Sequence, residues 1–117
     1  MNADHSDLAR YRTIDLITTG RKTGRSRRIE IWWFRVGGSF VITGTPGRRD
    51  WLANIRANPN VTIHVAGRDI PAQATPIEDP QVRKAVFVDS ATSWYSTQAE
   101  LDRLVATSPM VEITLQG

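Results

Sequence analysis

Hydrophobic positions recur along the chain mostly with period two. Val61, Ile63 and Val65 share one face of "NVTIHVAG", with Thr62 and His64 on the other, and Val111, Ile113 and Leu115 repeat the pattern near the end. "TIDLITT", from Thr13 to Thr19, has the β-branched character of a strand. The aromatic-rich run from Arg28 to Val36 leads into Gly37-Gly38, a dipeptide suited to a tight hairpin turn, and "SFVITGT" returns as its partner. After Gly67-Arg68 a further strand runs through Ile70 to Ile77. Helical spacing appears in three places. "PGRRDWLANIRANP" offers a loop, a cap at Asp50, a stripe of Trp51, Leu52 and Ile55, and a stop at Pro59. Asp79-Pro80 reads as cap and first helical residue ahead of Val82, Ala85 and Val86, and Thr97 to Glu100 reads as a capping box before Leu101, Leu104 and Val105. Six short, mostly meander-connected strands with a few helices outside them predict one mainly β domain with helices (α+β), curled into a small barrel.

Length agrees with that count: 117 residues, 40% of them apolar, suffice for one core and not for two. The expected domain is therefore the whole chain, 1–117, with a flexible N-terminal segment over residues 1–11. No stretch of about 18 apolar residues or signal-like leader is visible, so no membrane span is expected and the expected location is cytoplasmic. The chain has no cysteine, which excludes disulfides and thiolate chemistry, and His5 and His64 stand too far apart to suggest a metal site.

Charge changes the picture more. The formal balance of +3 is local: Arg21, Lys22, Arg25, Arg27 and Arg28 supply five of the fifteen cations, and the other ten face twelve carboxylates. All five fall in "TTGRKTGRSRR", between two strands, so the loop lies at one end of the sheet. Cations so crowded repel unless solvent or a bound polyanion relieves them. Gly20 and Gly24 leave backbone amides free to approach a phosphate, and the helix that begins near Asp50 turns its own amide-rich end to anions. A solvated turn and an anion site are both compatible with this loop. One basic cluster on a mildly acidic remainder argues against nucleic acid.

The order of pieces, "TTGRKTGRSRR", a hairpin, a small Gly-rich loop and "DWLANIRANPNVTI", resembles the deazaflavin-dependent nitroreductase family, small split-barrel oxidoreductases that use coenzyme F-420. The likeness is strong from Leu16 to Val65 and weak beyond. It implies a six-stranded split β-barrel of the FMN-binding split-barrel-like kind. The implied activity is hydride transfer from the reduced deazaflavin to a small organic acceptor: a quinone, nitro-compound or enone. By resemblance, Arg21, Lys22, Thr23 and Arg27 cradle the cofactor's phosphate and acidic tail. The loop from Gly44 to Arg49, with Thr45, Pro46, Gly47 and Arg48, flanks the ring together with Trp51 and Asn54. Late tyrosines shape the acceptor pocket in some members, and Tyr95 is the residue here placed to do so; no other catalytic group is assigned. "SRRIEIWWF" departs from the proline and "PL" pair common in that strand, which leaves the buried-looking Glu30 without a role. The N-terminal segment is shorter than in relatives that carry a membrane-associated amphipathic helix, so none is expected here.

Competing readings remain beside these. Flavin mononucleotide could replace the deazaflavin on the same loop, or the barrel could be a non-enzymatic module for an anionic amphiphile such as a fatty acid or tetrapyrrole. Trp51 shares a stripe with Leu52 and Ile55 and so also reads as a core anchor, whereas Asn54 falls outside the tightest stripe, where its amide could face a ring. Trp32, Trp33 and Phe34 put aromatics on both faces of one strand, and the face not filling the barrel needs cover, most simply a second subunit in a homodimer. His64 reads as a solvated or hydrogen-bonded histidine. With no nucleophile or paired acids, the pattern fits chemistry carried by a cofactor.

Overall fold

A computed structural model describes residues 5–116. Seven strands form one antiparallel sheet: β1 (Thr13–Thr19), β2 (Ser26–Trp32), β3 (Phe34–Val36), β4 (Ser39–Thr43), β5 (Asn60–Val65), β6 (Arg68–Pro76) and β7 (Met110–Leu115). Their spatial order is β2-β1-β5-β6-β7-β4-β3. Three helices complete the fold: α1 (Asp50–Ala57), α2 (Pro80–Val88) and α3 (Leu101–Thr107), with a 3-10 turn at Ser90–Thr97 between the last two.

The expectation of six strands is corrected to seven, and the reason lies in a single residue. The run from Arg28 to Val36 divides at Trp33, whose backbone N–H donates to Arg12 O at 3.0 Å, one step beyond the last β1–β2 pair, while the next residue opens β3. Its indole stacks on Phe40 with ring centroids 4.0 Å apart, and Nε1 donates to Tyr11 O at 2.7 Å. Strands on either side of Trp33 are the two edges of the sheet, so one buried residue joins the opposite ends of the seven-strand order. The sheet must curl to permit this.

Curling makes two cores. Inside the curl, Ile14 and Leu16 of β1, Val61 and Ile63 of β5, Ile70 and Ala72 of β6 and Val111 of β7 pack with Trp51 and Ile55 of α1. These strands alternate because their outer faces meet solvent. Outside it, Phe34, Val41 and Met110 on the β3-β4-β7 side meet Val86 and Phe87 of α2, Tyr95 and Leu104. Strand β4 is buried at Phe40, Val41, Ile42 and Thr43 because it is covered on both faces. The β3–β4 connection is a two-residue hairpin at Gly37 and Gly38, with φ of +57° and +83°, the doubly positive pair that matches the twist of the flanking strands.

Several local expectations change. Val86 of α2 faces inward as expected, but its companions are Arg83 and Phe87 rather than Val82 and Ala85; Val82 is 45% exposed and Ala85 is exposed. An arginine holds the inward place because its guanidinium donates to Val105 O, Ile77 O and Ser108 O, tying α2 to the ends of β6 and α3. The capping box at Thr97 to Glu100 does not form: Thr97 ends the 3-10 turn with its hydroxyl on Trp94 O, and α3 starts at Leu101 without a side-chain cap. At α1 the cap position falls to Arg49, so Asp50 is the first helical residue. Glu30 is exposed, opposite Asp15 across the β1–β2 ladder. Of the N-terminal segment expected to be flexible, residues 1–4 lie outside the described residues, and Ser6–Arg10 form a 3-10 turn that buries Leu8 in the inner core.

Trp33→Phe should destabilise the protein by about 2–4 kcal/mol, since it orphans the Tyr11 carbonyl and leaves a cavity beside Phe40. Trp94→Phe, at a 46% exposed position, should stay within about 0.5 kcal/mol of wild type. Urea unfolding followed by far-ultraviolet circular dichroism separates the two, and equal midpoints would remove Trp33 from the role given to it.

Candidate active site

The basic loop is a tight turn between β1 and β2. Gly20 N–H donates to Arg25 O at 2.7 Å, Gly24 N–H to Gly20 O at 2.8 Å, and Arg25 N–H to Thr23 Oγ1 at 3.2 Å. The amides expected to be free at Gly20 and Gly24 are therefore spent inside the turn, and side chains must meet any anion. Two of the five cations are committed. Arg28 pairs with Asp15 at 2.8 Å, and Arg21 lies 3.4 Å from Asp50. Lys22, Arg25 and Arg27 have no carboxylate within ion-pair distance among the described residues.

Helix α1 anchors this loop through Asn54, which is 4% exposed. Its Oδ1 accepts from Arg21 N at 3.2 Å and Arg21 Nη1 at 2.9 Å, while Nδ2 donates to Thr18 Oγ1 at 3.2 Å. A buried amide without partners would cost about 1–3 kcal/mol, so this three-way contact fixes where the loop leaves β1. The amide thus holds the loop. Arg21, Lys22, Thr23, Arg27, Trp51 and Asn54 line one cleft of about 670 Å³.

A second cleft, about 320 Å³, shares Trp51 with the first. Gly44 and Thr45 line it from the loop after β4, Ile31 and Trp32 from β2, and Trp94 and Tyr95 from the 3-10 turn. Trp32 and Trp94 meet edge to face at 5.5 Å, and Trp94 and Tyr95 at 5.2 Å. Burial pushes the Tyr95 hydroxyl above the usual tyrosine range, with the Arg12 and Arg49 guanidinium groups pulling it back, so the phenol is neutral near pH 7. Tyr95, placed by resemblance alone, does reach a cleft beside Trp51.

The other loop residues part company. Gly47 and Arg48 line a third cleft of about 490 Å³ with Leu52 and Arg56, away from Trp51, and Pro46 lines none of the three. Arg49 carries the polar contacts of this loop: its Nη2 donates to Thr45 O at 3.0 Å and Thr45 Oγ1 at 3.1 Å. No sequence pattern separates Arg48 from Arg49; only the start of α1 decides which of the two turns toward Thr45. His64 bonds Asp69 at 2.6 Å on an exposed hairpin, away from the clefts. Among the described residues no group of three potential metal ligands comes together, and no helix is long and apolar enough to cross a membrane.

Comparison with known proteins places this geometry in a family. The family model described as F420H(2)-dependent quinone reductase matches residues 6–111. An F420H(2)-dependent quinone reductase of Mycobacterium tuberculosis is 29% identical over 108 residues, covering 85% of this chain and 70% of that protein. Among solved structures, an F420 reductase superposes with a TM-score of 0.66 at 18% identity, covering 100% of this chain and 97% of the other. A heme storage protein from Vibrio cholerae reaches 0.69 at 16% identity, covering 95% and 87%, a likeness that concerns the fold alone. The family match spans the basic loop, α1 and both clefts that share Trp51, and the chain belongs to the F420H(2)-dependent quinone reductase family.

Proposed function

We propose that the two clefts joined at Trp51 form one continuous groove, with coenzyme F-420 along the basic cleft and a quinone-type acceptor in the aromatic one. As a member of its family the protein is a deazaflavin-dependent oxidoreductase. When bound, the reduced cofactor supplies the hydride. Lys22 and Arg27, the unpaired cations of the cleft, hold the phosphate and acidic tail; Arg21, fixed by Asn54, sets their position; Trp51 packs on the ring. The sharing of Trp51 by a cationic and an aromatic cleft carries this reading. Their sizes fit it, since ligand pockets run from about 300 to 1,000 Å³. Family membership favours the deazaflavin over flavin mononucleotide and over a passive amphiphile module. A nitro-compound or enone remains an acceptor that the aromatic cleft could admit.

The curled sheet with its covalently joined edges supports the finer description of a split barrel. Trp32 and Trp94, 36% and 46% exposed and in contact with each other, support a homodimer in which a second copy covers the rim of the acceptor cleft.

Lys22→Glu should weaken F-420 binding at least several-fold and flatten its salt dependence, because a charge-assisted contact becomes a repulsion. Calorimetric titration at two ionic strengths checks this, and unchanged affinity would take the loop out of the site. Arg21→Ala and Asn54→Ala should each weaken binding yet fail to add when combined, with a coupling of about 0.5–3 kcal/mol, since one contact serves both. Strict additivity would show that Asn54 does not act through Arg21. Tyr95→Phe should leave F-420 affinity in place while raising the KM for quinone, as Tyr95 lines the acceptor cleft and brings it a hydroxyl; steady-state kinetics with menadione reads the split.

A further inference from the structure

The loop after β4 is folded around the Arg49 side chain. A methyl group added at Gly44 would stand 3.2 Å from Arg49 Nη2, and one at Gly47 would stand 3.2 Å from Nη1. Thr45 O, Thr45 Oγ1 and Arg48 O accept three of the guanidinium's hydrogens. A guanidinium has five N–H donors, so Nε–H and one Nη1–H are left without a protein acceptor among the described residues. No carboxylate lies within ion-pair distance of it among those residues. Arg49 is half-buried and lines the aromatic cleft. Two glycines, a threonine and a backbone turn thus hold a cation in place without neutralising it, at the wall of a pocket that Trp32, Trp51, Trp94 and Tyr95 also line.

Other charges nearby do not cancel it. Glu30 is the carboxylate of the cleft, but it is exposed on edge strand β2, where solvent and salt screen it. Arg12 adds a second positive charge at the rim, its guanidinium 5.8 Å from the Trp32 ring centre and 5.4 Å from that of Phe34. Tyr95, neutral near pH 7, adds no charge of its own.

A fixed, unneutralised cation in an aromatic slot has an evident use in the proposed reaction, on which this inference rests. A quinone that accepts a hydride becomes the hydroquinone monoanion, with the negative charge on an oxygen; a proton then completes the hydroquinone. The first product is the charged species, and a donor set already in place for it lowers the barrier without reorganising. We propose that Arg49 is a catalytic residue that binds the acceptor's oxygen and stabilises the negative charge developing there, so that the cleft prefers flat aromatic acceptors in their anionic form.

Binding to the cofactor-free protein tests this directly. Lawsone, a hydroxynaphthoquinone ionised at neutral pH, mimics the charge of the hydroquinone anion, and menadione is its uncharged counterpart. Calorimetry on wild type should show lawsone bound more tightly than menadione. Arg49→Gln should lose about tenfold or more in lawsone affinity, and Arg49→Lys less, with menadione changing by no more than two- to threefold in either. Thermal unfolding close to that of wild type verifies that both variants are folded; if Arg49→Gln is not, Gly44→Ala, which crowds the guanidinium while keeping its charge, takes its place and should also weaken lawsone selectively. Equal lawsone affinity in wild type and the folded variant overturns the assignment, as does equal loss for both quinones. Titration of wild type with F-420 separates the two levels: if F-420 binds while lawsone does not, Arg49 fails and the proposed function stands; if F-420 does not bind, the function itself fails.

Discussion

The constraint on which the rest depends is the burial of Trp33 between the two edges of the sheet. Strands β2 and β3 are consecutive in the chain and lie at opposite ends of the strand order, so the sheet can place both only by curling until they meet. The indole secures that meeting from two sides, stacked on Phe40 of β4 and hydrogen-bonded to Tyr11 ahead of β1. Once the sheet is curled, the inner face of β1, β5, β6 and β7 becomes a closed core with room for one short helix. The loop at the β1–β2 end is then brought beside the N-terminus of that helix. The shared lining of the two clefts is a consequence of this geometry: α1 packs into the curl with Trp51 and Ile55 inward, and Trp51 is left lining both.

Charge is distributed over this frame unevenly. The basic loop would push its cations apart, yet among the described residues only two of the five are paired with a carboxylate, Arg28 with Asp15 and Arg21 with Asp50, while the Asn54 amide fixes Arg21 in place. These contacts are where the loop joins the fold. Lys22 in the turn and Arg27 on β2 are left to the cleft. On the far side of Trp51 the loop after β4 takes three of the five Arg49 guanidinium hydrogens on carbonyl and hydroxyl oxygens and supplies no carboxylate. There the protein fixes the position of a cation with neutral acceptors, which preserves the charge that a carboxylate would cancel.

Much of this was legible in the sequence, for identifiable reasons. Period-two alternation marked β1, β5 and β7 because their outer faces are in water, and Gly37-Gly38 marked its hairpin because both positions need positive φ. The cation cluster and the Trp51 helix were visible as composition and stripe. What failed were readings that assumed apolar means inward. Arg83 took the inward place on α2 because three carbonyls at the ends of neighbouring elements needed donors, a demand that exists only once β6, α2 and α3 are packed. Glu30 looked buried in a strand of apolar neighbours but lies on an edge strand with exposed alternate positions. Trp33 was read as one more strand residue, since nothing local reveals that the chain turns from one edge of the sheet to the other there. Arg49 and Arg48 are adjacent and identical in type; the first residue of α1 separates their directions.

Sharing a fold with a heme storage protein shows how little the curled sheet itself dictates. The elements that line the two clefts are short and mostly peripheral: a turn of basic residues, one face of an eight-residue helix, a glycine-bounded loop and a 3-10 turn bearing Trp94 and Tyr95. None is stable alone, because an isolated helix of that length does not persist in water and a 3-10 turn lasts only under tertiary cover. Their order comes from the sheet through a handful of contacts, Asn54 to Thr18 and Arg21 on one side and Arg49 to Thr45 on the other. The side chains that meet a ligand are thus mostly not the side chains that hold the fold. Trp51 and Tyr95 are exceptions: each belongs to a core and lines a cleft, and Trp51 lines both, so the clefts cannot shift relative to the curled sheet without disturbing its packing.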